Sequence, residues 1–520
     1  MGNWSRAMPR ALLSVYDKTG LLDLARGLKA MGWDLLATGG TFKALTDAGL
    51  DVVEVADYTG APECFEGRVK TLHPKIHGGL LFRRESQLHA ADAKRLDIQP
   101  IDLAVVNLYP FEATISKTGV SPEECIEQID IGGPSMLRSA SKNHRDVTVL
   151  TDPNQYMGFL EKQKAGTWSL KDRQACALAA FRLTAAYDSA ISKWMEAQLE
   201  PRGEDLPGSL NLRLSRHLGL RYGENPHQPA AFYVEQGAGL EGIAACEQLQ
   251  GKELSFNNLL DSDAGARLAW QFQAPGCVIV KHNNPCGAAV AAHPLDAFLK
   301  ARAGDPLSSF GGIVAFNRAI GIEVAQAMAQ SFWEVILAPG FTQEALQVFA
   351  TKKQLRLLRM PKQWPTAASG LDLRTIGGGF LVQRPDDQFS EFEQWEVKVT
   401  GRSPKPVQED LVLAQKLAKA VKSNAIVLVK NGAAVGIGAG QMSRVDSVEI
   451  ACRKAGERAK GSVLGSDAFF PFPDGLELAA SNGVHAFVDP GGSLRDADVI
   501  AAAQRLGVWL FFSGMRHFRH

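Results

Sequence analysis

The stretch ALLSVYDKTGLLDLARGLKAMGWDLLATGG, residues 11–40, decides the fold of the first part of the chain. Its first six residues are mostly apolar and predict a short β-strand. Residues 19–32 carry apolar side chains three and four positions apart, which is typical of an amphipathic helix. Residues 33–40 predict a second strand that ends at a pair of glycines. This strand–helix–strand order indicates two parallel strands with a helix packed against them.

The same alternation continues beyond residue 40. TFKALTDAG, residues 41–49, predicts a helix closed by Gly49, and IDLAVVNLYPF, residues 101–111, fits a strand buried on both faces. We therefore expect an α/β fold with a parallel sheet and helices on both of its faces. Ligands of such sheets bind beyond the carboxyl ends of the strands. The segments YDKT, TGGT and NLY, at 16–19, 38–41 and 107–109, are the candidate binding loops.

Charge and composition exclude some classes of protein. The 520 residues include 56 Lys and Arg and 56 Asp and Glu, so the net charge is zero. A protein that binds nucleic acid through its backbone usually has a basic excess, so we expect no nucleic-acid partner. Hydrophobic residues make up 45% and charged residues 22%, which is ordinary for a globular protein. The length predicts about two to four domains.

We also expect no membrane-spanning helix and no signal peptide from the sequence. No apolar run reaches the length of about 18 residues that a membrane helix needs, so we expect no membrane association. The first 20 residues lack the apolar core of a signal peptide. The seven cysteines are scattered and odd in number, which favours reduced thiols and a cytoplasmic location.

GRVKTLHPKIHGG, residues 67–79, concentrates positive charge and has no carboxylate. If the segment is extended, Arg68 and Lys70 point to one face beside the hydroxyl of Thr71, which suits a small anion. The alternative is a solvated basic loop. A zinc site at His73 and His77 is disfavoured, because a proline lies between them and a lysine replaces the expected glutamate.

Two further segments of the first region carry polar groups. The turn TGGT presents backbone N–H groups and a helix N-terminus, which suit a phosphate. In DIGGPSMLRSASKNH, residues 130–144, a helical pattern follows the glycine pair and places Asp130 near the helix N-terminus. Asp130, Lys142 and Tyr109 form an acid–base set suited to proton transfer. The alternative is an N-capping aspartate with exposed cations.

The second half of the chain follows a polar segment. LEPRGEDLPGSLNL, residues 199–212, is the candidate linker, and CVIVKHNNPCGAAVA at 277–291 resembles AIVLVKNGAAVGIG at 425–438. Each is a strand, a lysine followed by His or Asn, and a second strand. This weak repeat suggests two similar lobes. We therefore expect a first domain over 1–200 and two lobes over 201–370 and 371–520.

Lys281 and His282 lie at the end of an apolar strand. The imidazole can accept a proton near neutral pH, and the lysine can stabilise developing negative charge. A structural histidine is the alternative. A deaminase-type zinc is not expected, because no second cysteine follows Cys286 at the required spacing. Arg221 and Arg516 are candidate anion contacts, and Phe469 and Phe470 either flank a flat ring or pack in the core.

Together these segments closely resemble one family, the bifunctional purine-biosynthesis enzyme that joins an AICAR transformylase to an IMP cyclohydrolase. The resemblance extends from about Leu13 to His520. It rests on ten motifs in family order: SVYDKTGL, TGGT, GRVKTLHPKIHGG, DIGGPSM…KNH, LRYGENPHQ, VKHNNPCG, SSFGG, KNG…GIGAGQMSRVDS, SDAFFPF and MRHFRH.

The resemblance implies a fold, two reactions and an assembly. The N-terminal cyclohydrolase domain is expected to be methylglyoxal-synthase-like, and the two transformylase lobes cytidine-deaminase-like without zinc. The co-substrate 10-formyltetrahydrofolate gives its formyl group to AICAR, and formyl-AICAR then closes to IMP with loss of water. No catalytic metal is implied. Family members are homodimers with transformylase sites at the subunit interface.

The resemblance also implies site residues. The expected catalytic residues are Lys142, Asp130, Lys70 and Tyr109 for ring closure, with Lys142 the main acid/base, and Lys281, His282 and Asn431 for formyl transfer. The expected nucleotide contacts of the cyclohydrolase are Tyr16, Asp17, Lys18, Thr38, Gly39, Gly40, Thr41, Arg68, Val69, Lys70, Thr71, Asn107, Leu108, Asp130 and Ile131. The expected AICAR contacts are Arg221, Tyr222, His282, Gly311, Glu334, Asn431, Arg444, Phe469 and Arg516. The expected folate contacts are Val445, Asp474, Ser493 and Leu494.

Departures from the family pattern are few. Tyr16 stands where many relatives have Ser, Asn283 replaces a small residue, and Glu334 stands where some members have Asp. A competing hypothesis is a regulatory protein that binds nucleotides without turnover. The retention of Lys142, Lys281 and His282 argues against it.

Overall fold

The chain forms two compact units, residues 1–211 and 212–520. The computed structural model describes residues 8–65, 68–199, 206–236, 239–365 and 370–520. The segment predicted as a linker spans the division between the units, and its residues 200–205 lie outside the described residues, as does Gly67 of the basic segment.

The first unit contains a five-stranded parallel sheet in the order β3-β2-β1-β4-β5. Its strands are β1 Arg10–Ser14, β2 Asp34–Ala37, β3 Val53–Glu54, β4 Leu103–Val106 and β5 Thr148–Leu150. Its helices are α1 Leu21–Ala30, α2 Gly39–Asp47, α3 Val55–Thr59, α4 Pro74–Leu81, α5 Gln87–Arg95, α6 Phe111–Ile115, α7 Pro122–Glu127, α8 Gly132–Lys142, α9 Tyr156–Lys164 and α10 Leu170–Leu199.

Apolar spacing explains this arrangement. All four residues of β4 are buried, as a central parallel strand requires, and the buried face of α1 consists of Leu21, Leu24, Ala25 and Leu28. The strand–helix–strand prediction is confirmed. The glycine pair, however, opens α2 instead of ending β2, and the extended run at 101–111 gives a strand of only four residues.

The second unit is built on a twelve-stranded sheet, with two separate two-stranded ribbons, β6–β7 and β14–β15. Its strands are β6 Leu214–Leu220, β7 Ala230–Glu235, β8 Glu247–Gln250, β9 Gly276–Lys281, β10 Asn284–Val290, β11 Ile313–Phe316, β12 Val335–Ala338, β13 Arg356–Arg359, β14 Asp372–Ile376, β15 Gly379–Gln383, β16 Glu396–Val399, β17 Ile426–Lys430, β18 Ala433–Gly438, β19 Val463–Ser466, β20 Ala486–Asp489 and β21 Trp509–Phe512. Its helices are α11 Phe256–Trp270, α12 Pro294–Gly304, α13 Pro306–Ser309, α14 Ile322–Ala329, α15 Gln343–Ala350, α16 Gln408–Ala420, α17 Arg444–Ala455, α18 Asp474–Ser481 and α19 Asp496–Leu506.

The strand order shows an internal duplication. The sheet runs β16-β21-β20-β19-β17-β18-β10-β9-β11-β12-β13-β8, so each half consists of an edge strand, three parallel strands and a central hairpin. The halves meet where β10 pairs with β18 in antiparallel fashion, with Ala289 opposite Ala433. The two segments that resemble each other in sequence form the two central hairpins, β9–β10 and β17–β18.

Among the described residues, no helix is long and apolar enough to cross a membrane.

Candidate active sites

The first unit has a cleft of about 720 Å³ at the carboxyl ends of its strands. The predicted residues that line it come from the ends of β1, β2 and β4, from the basic segment and from the start of α8: Tyr16, Lys18, Thr38, Gly39, Gly40, Thr41, Arg68, Lys70, Thr71, Asn107, Tyr109, Asp130 and Ile131. The parallel topology brings these distant segments to one edge of the sheet.

Hydrogen bonds between loops fix the cleft floor. The hydroxyls of Ser14 and Thr38 lie 3.0 Å apart. The hydroxyl of Thr41 bonds both the N–H and the carbonyl of Val15 at 3.0 Å. The side-chain oxygen of Asn107 accepts from the N–H of Tyr16 at 2.6 Å. The first two strand ends are therefore joined to each other and to the third.

Two of the three cations that line the cleft are paired with carboxylates. Lys70 lies 2.8 Å from Glu63, and Arg68 forms an ion pair with Glu127. Such exposed pairs are worth about 0–1 kcal/mol, so an anion that enters the cleft can displace them. Gly39 adopts a φ of +42°, and a Cβ at this position would lie 3.5 Å from the Lys70 ammonium. The glycine leaves room for a ligand to approach the backbone closely.

Asp130 and Glu127 are the carboxylates among the residues that line the cleft, and Asp130 lies just before α8. Its Oδ1 accepts from the N–H of Gly133 at 2.8 Å, and its own N–H donates to the hydroxyl of Tyr187 at 2.8 Å. Burial raises the pKa of Asp130, against the opposing effect of hydrogen bonds from backbone N–H groups. Tyr109 meets the ring of Tyr16 edge to face at 5.8 Å, on the rim of the same cleft. A buried carboxylate beside a lysine and a phenol is suited to proton exchange.

Lys142 is not brought to this cleft. It ends α8 as an exposed residue, while Asp130 precedes the first turn of that helix. The ten residue steps from Gly132 to Lys142 correspond to about 15 Å along the axis. Its assignment as the main acid/base therefore rests on the family resemblance, and the cleft itself offers Asp130, Lys70 and Tyr109.

Three other predicted contacts do not line the cleft. The carboxylate of Asp17 accepts from the backbone and hydroxyl of Thr19, Val69 forms an isolated bridge with Cys64, and Leu108 packs against the core. From Arg68 to Lys70 the described chain forms only that isolated bridge, and both cations line the cleft.

The two histidines of the basic segment have structural partners. His73 caps α4, and its Nδ1 accepts from the N–H of Lys75 at 3.1 Å. The Nδ1 of His77 lies 2.9 Å from the hydroxyl of Ser139. Among the described residues, no cluster of His, Cys, Asp or Glu has the geometry to hold a metal ion.

In the second unit, Lys281 is the last residue of β9, and His282 begins the turn that leads to β10. Both line a pocket of about 410 Å³ at the junction of the two sheet halves, with Asp305 and Lys454 on its wall. The Lys281 ammonium donates to the carbonyl of Phe310 at 2.8 Å. The corresponding Lys430 donates to the carbonyl of Lys460 in the other half.

A second pocket of about 370 Å³ contains four predicted ligand contacts: Arg444, Val445, Phe469 and Asp474. The guanidinium of Arg444 is buried and bonds Asp467, Ser466 and Asn424 at 2.6–2.7 Å. Arg444 is thus already held by protein groups.

The remaining predicted contacts of the second unit line neither pocket. Arg221 lies over the ring of Tyr222, Glu334 pairs with Arg356 at 2.8 Å, and Arg516 lies over Phe518. Gly311, Asn431, Ser493 and Leu494 also lie outside both pockets. Phe470 is buried against Phe487, so of its two alternatives, a flat-ring contact or core packing, the structure shows core packing.

Sequence reasoning missed two residues that hold the hairpin turns, Asp261 and Asp410. The carboxylate of Asp261 accepts from the N–H groups of His282 and Asn283, and that of Asp410 accepts from those of Asn431 and Gly432. Their equal spacing from the two turns was a signal that could have been read from the sequence.

The fold and its two sites define an α/β enzyme that acts on small anionic molecules. The model of the AICARFT/IMPCHase bienzyme family matches residues 140–454, and the model of the MGS-like domain matches residues 20–135. The chain therefore belongs to the bifunctional AICAR transformylase and IMP cyclohydrolase family, and it is a formyltransferase and cyclohydrolase of purine biosynthesis that uses a folate-type formyl donor.

Relatives of nearly the same length agree with this. The bifunctional purine biosynthesis protein PurH of Dinoroseobacter shibae is 51% identical over 98% of this chain and 98% of its own. The protein of the same name from Synechococcus elongatus is 50% identical over 99% of this chain and 100% of its own. A solved structure described as "Crystal structure of ForH" covers 36% of this chain and 100% of its own at 36% identity, with a TM-score of 0.34.

Proposed function

We propose that the two reactions take place in different units, with ring closure in the cleft of the first unit and formyl transfer around Lys281 and His282 in the second. The observation that carries this division is the single cleft that gathers Arg68, Lys70, Tyr109 and Asp130 at one sheet edge. In this proposal, residues 1–211 carry ring closure and residues 212–520 carry formyl transfer. The duplicated sheet supports a further division of the second unit into two lobes near residue 370.

Ring closure joins two groups of one molecule. The carboxamide nitrogen of formyl-AICAR attacks the formyl carbon and loses one proton. The formamide nitrogen loses a second proton as its double bond to this carbon forms, and the former formyl oxygen leaves with the two protons as water. The cleft holds the reactive conformer, with Arg68 and the glycine turn at 38–41 on the phosphate. Lys70, Tyr109 and Asp130 move the protons. Lys142 is retained as a further proton carrier on the family resemblance alone.

Formyl transfer needs a positioned proton acceptor, because the amine of AICAR is conjugated to a carboxamide and is a poor nucleophile. The amine attacks the formyl carbon of 10-formyltetrahydrofolate, and His282 accepts the amine proton. The bond to N10 then breaks as N10 takes up a proton, which releases tetrahydrofolate. Lys281 and Asn431 stabilise the oxyanion. AICAR is held by Arg221, Tyr222, Gly311, Glu334, Arg444, Phe469 and Arg516, and the folate by Val445, Asp474, Ser493 and Leu494.

The scattered positions of these contacts support a homodimer in which two chains complete each transformylase site. Light scattering tests this, because the dimer has twice the 56.2 kDa mass of one chain. A mass of one chain at assay concentration, with full transfer activity, would overturn it.

The seven cysteines are all unpaired, which fits the proposed cytoplasmic location.

The donor is tested with two folate isomers. We expect the purified chain to formylate AICAR with 10-formyltetrahydrofolate and not with 5-formyltetrahydrofolate, and to convert added formyl-AICAR to IMP without any folate. Equal rates with both isomers would overturn the donor assignment.

A further inference from the structure

The turn that carries His282 has an unusual backbone. His282 and Asn283 have φ values of +55° and +61°, in the left-handed region that side chains other than glycine rarely adopt. In this form the Cβ lies too close to the following carbonyl oxygen, which is more costly for His282 than for Asn283. The turn therefore needs contacts that hold it in place.

One buried carboxylate supplies these contacts. The Oδ2 of Asp261 accepts from the N–H of His282 at 3.1 Å, and its Oδ1 accepts from the N–H of Asn283 at 2.6 Å. The Asp261 residue is 8% exposed and lies in the middle of α11. Charge-assisted bonds of this kind are about twice as strong as neutral ones.

The other half of the sheet repeats the device. Asn431 and Gly432 have φ values of +54° and +73°, and the two oxygens of Asp410 accept from their N–H groups at 2.8 and 2.7 Å. Asp410 is 7% exposed and lies in the first turn of α16. The spacing is the same in both halves, since 282 − 261 and 431 − 410 both equal 21.

We propose that Asp261 and Asp410 are positioning residues of formyl transfer, which hold His282 and Asn431 at the tips of the two central hairpins. The inference rests on the proposed roles of His282 and Asn431. Packing of the His282 and Asn431 side chains alone does not set their orientations. A carboxylate on the neighbouring helix fixes the backbone of each residue, and through the backbone its side chain.

The test uses Asp261→Asn and Asp410→Asn in the full chain. In each variant an NH2 group replaces one of the two accepting oxygens and would face an N–H donor, so the two-oxygen arrangement is lost. We expect kcat for formyl transfer to fall about tenfold or more in each variant, with a smaller change in KM for AICAR and unchanged cyclisation of formyl-AICAR. The matched control is Asp263→Asn, also on α11, whose carboxylate pairs with Arg267 instead. Its transfer rate should stay near that of the unsubstituted chain.

A double-mutant cycle separates positioning from a general structural role. If Asp261 acts through His282, Asp261→Asn should cost little more in a His282→Ala background. Asp410→Asn should behave likewise in an Asn431→Ala background. Thermal unfolding shows whether each variant is folded, and the second pair keeps the test decisive if one variant is not. Fully additive losses, or full transfer activity in both aspartate variants, would overturn the inference. Full transfer activity in His282→Ala would instead overturn the proposed function.

Discussion

The Oδ1 of Asp130 accepts a hydrogen bond from the N–H of Gly133 at 2.8 Å, which fixes this carboxylate at the start of α8, in the cleft of the first unit. Burial raises the pKa of this carboxyl above its ordinary value of 3.8. The folded state therefore binds the proton more tightly than the unfolded state, and any stability gained from this protonation is lost as the pH rises through the folded pKa.

This gives a pH prediction for ring closure. If the carboxylate form of Asp130 accepts a proton, cyclisation should weaken as the pH falls through a pKa that lies above 3.8. The pH profile of kcat/KM with formyl-AICAR measures it. In Asp130→Asn the rate should be low at every pH and the acid limb should be absent. An unchanged acid limb in that variant would assign the limb to another group.

The tight approach of Asp130 to Gly133 predicts a second result. A Cβ at residue 133 would lie 2.3 Å from the Oδ2 of Asp130 and 2.7 Å from the side chain of Leu108. Gly133→Ala should therefore displace the carboxylate and lower the kcat of cyclisation at least tenfold, although alanine favours helices by about 1 kcal/mol. The control is Gly158→Ala in α9, where a Cβ meets nothing within 4 Å. It should leave activity unchanged and raise the unfolding temperature slightly. Equal behaviour of the two variants would contradict the steric account.

Arg68 and Lys70, the two cations that the basic segment brings to the cleft, should differ in their kinetic effects. Arg68→Ala should raise KM for formyl-AICAR about tenfold, because a charge-assisted contact is worth about 1.5–3 kcal/mol. Lys70→Ala should lower kcat as well, because Lys70 also acts on the reacting groups. Arg95→Ala, which breaks an exposed ion pair with Asp92, is the control. A KM that stays the same in Arg68→Ala would remove the phosphate contact from the account.

Asn283 offers a prediction about the second unit. Its φ of +61° suits glycine or asparagine, and its side chain accepts from Arg519 at 3.0 Å. Asn283→Gly should keep most of the formyl-transfer activity, whereas Asn283→Val should lose it, because a β-branched residue is strained in this conformation. Thermal unfolding and the transfer assay together measure this. Equal activity of the two variants would show that the turn does not need its left-handed form.

The periodicity of the sequence was sufficient to predict the parallel sheet of the first unit, and the ends of the predicted strands identified most of the residues of its cleft. Periodicity did not show that Lys142 lies away from the cleft, at the far end of the eleven-residue helix that begins beside Asp130. The weak repeat at 277–291 and 425–438 pointed to the duplicated sheet. Extended upstream, the repeat places Asp261 and Asp410 at equal distances from the two turns, but only the fold shows that their carboxylates accept hydrogen bonds from backbone N–H groups 21 and 22 positions ahead. Phe470 was ambiguous in sequence because core and ligand-stacking aromatics look alike.

The central claim is that the two reactions use separate sites in separate units. The most direct measurement is the rate of both reactions on one preparation of His282→Ala. We expect the rate of formyl transfer to AICAR to fall on the order of a hundredfold or more, which is the usual contribution of a positioned general base, while cyclisation of formyl-AICAR keeps its full rate. Equal loss of both activities in a folded variant, or full retention of formyl transfer, would contradict it.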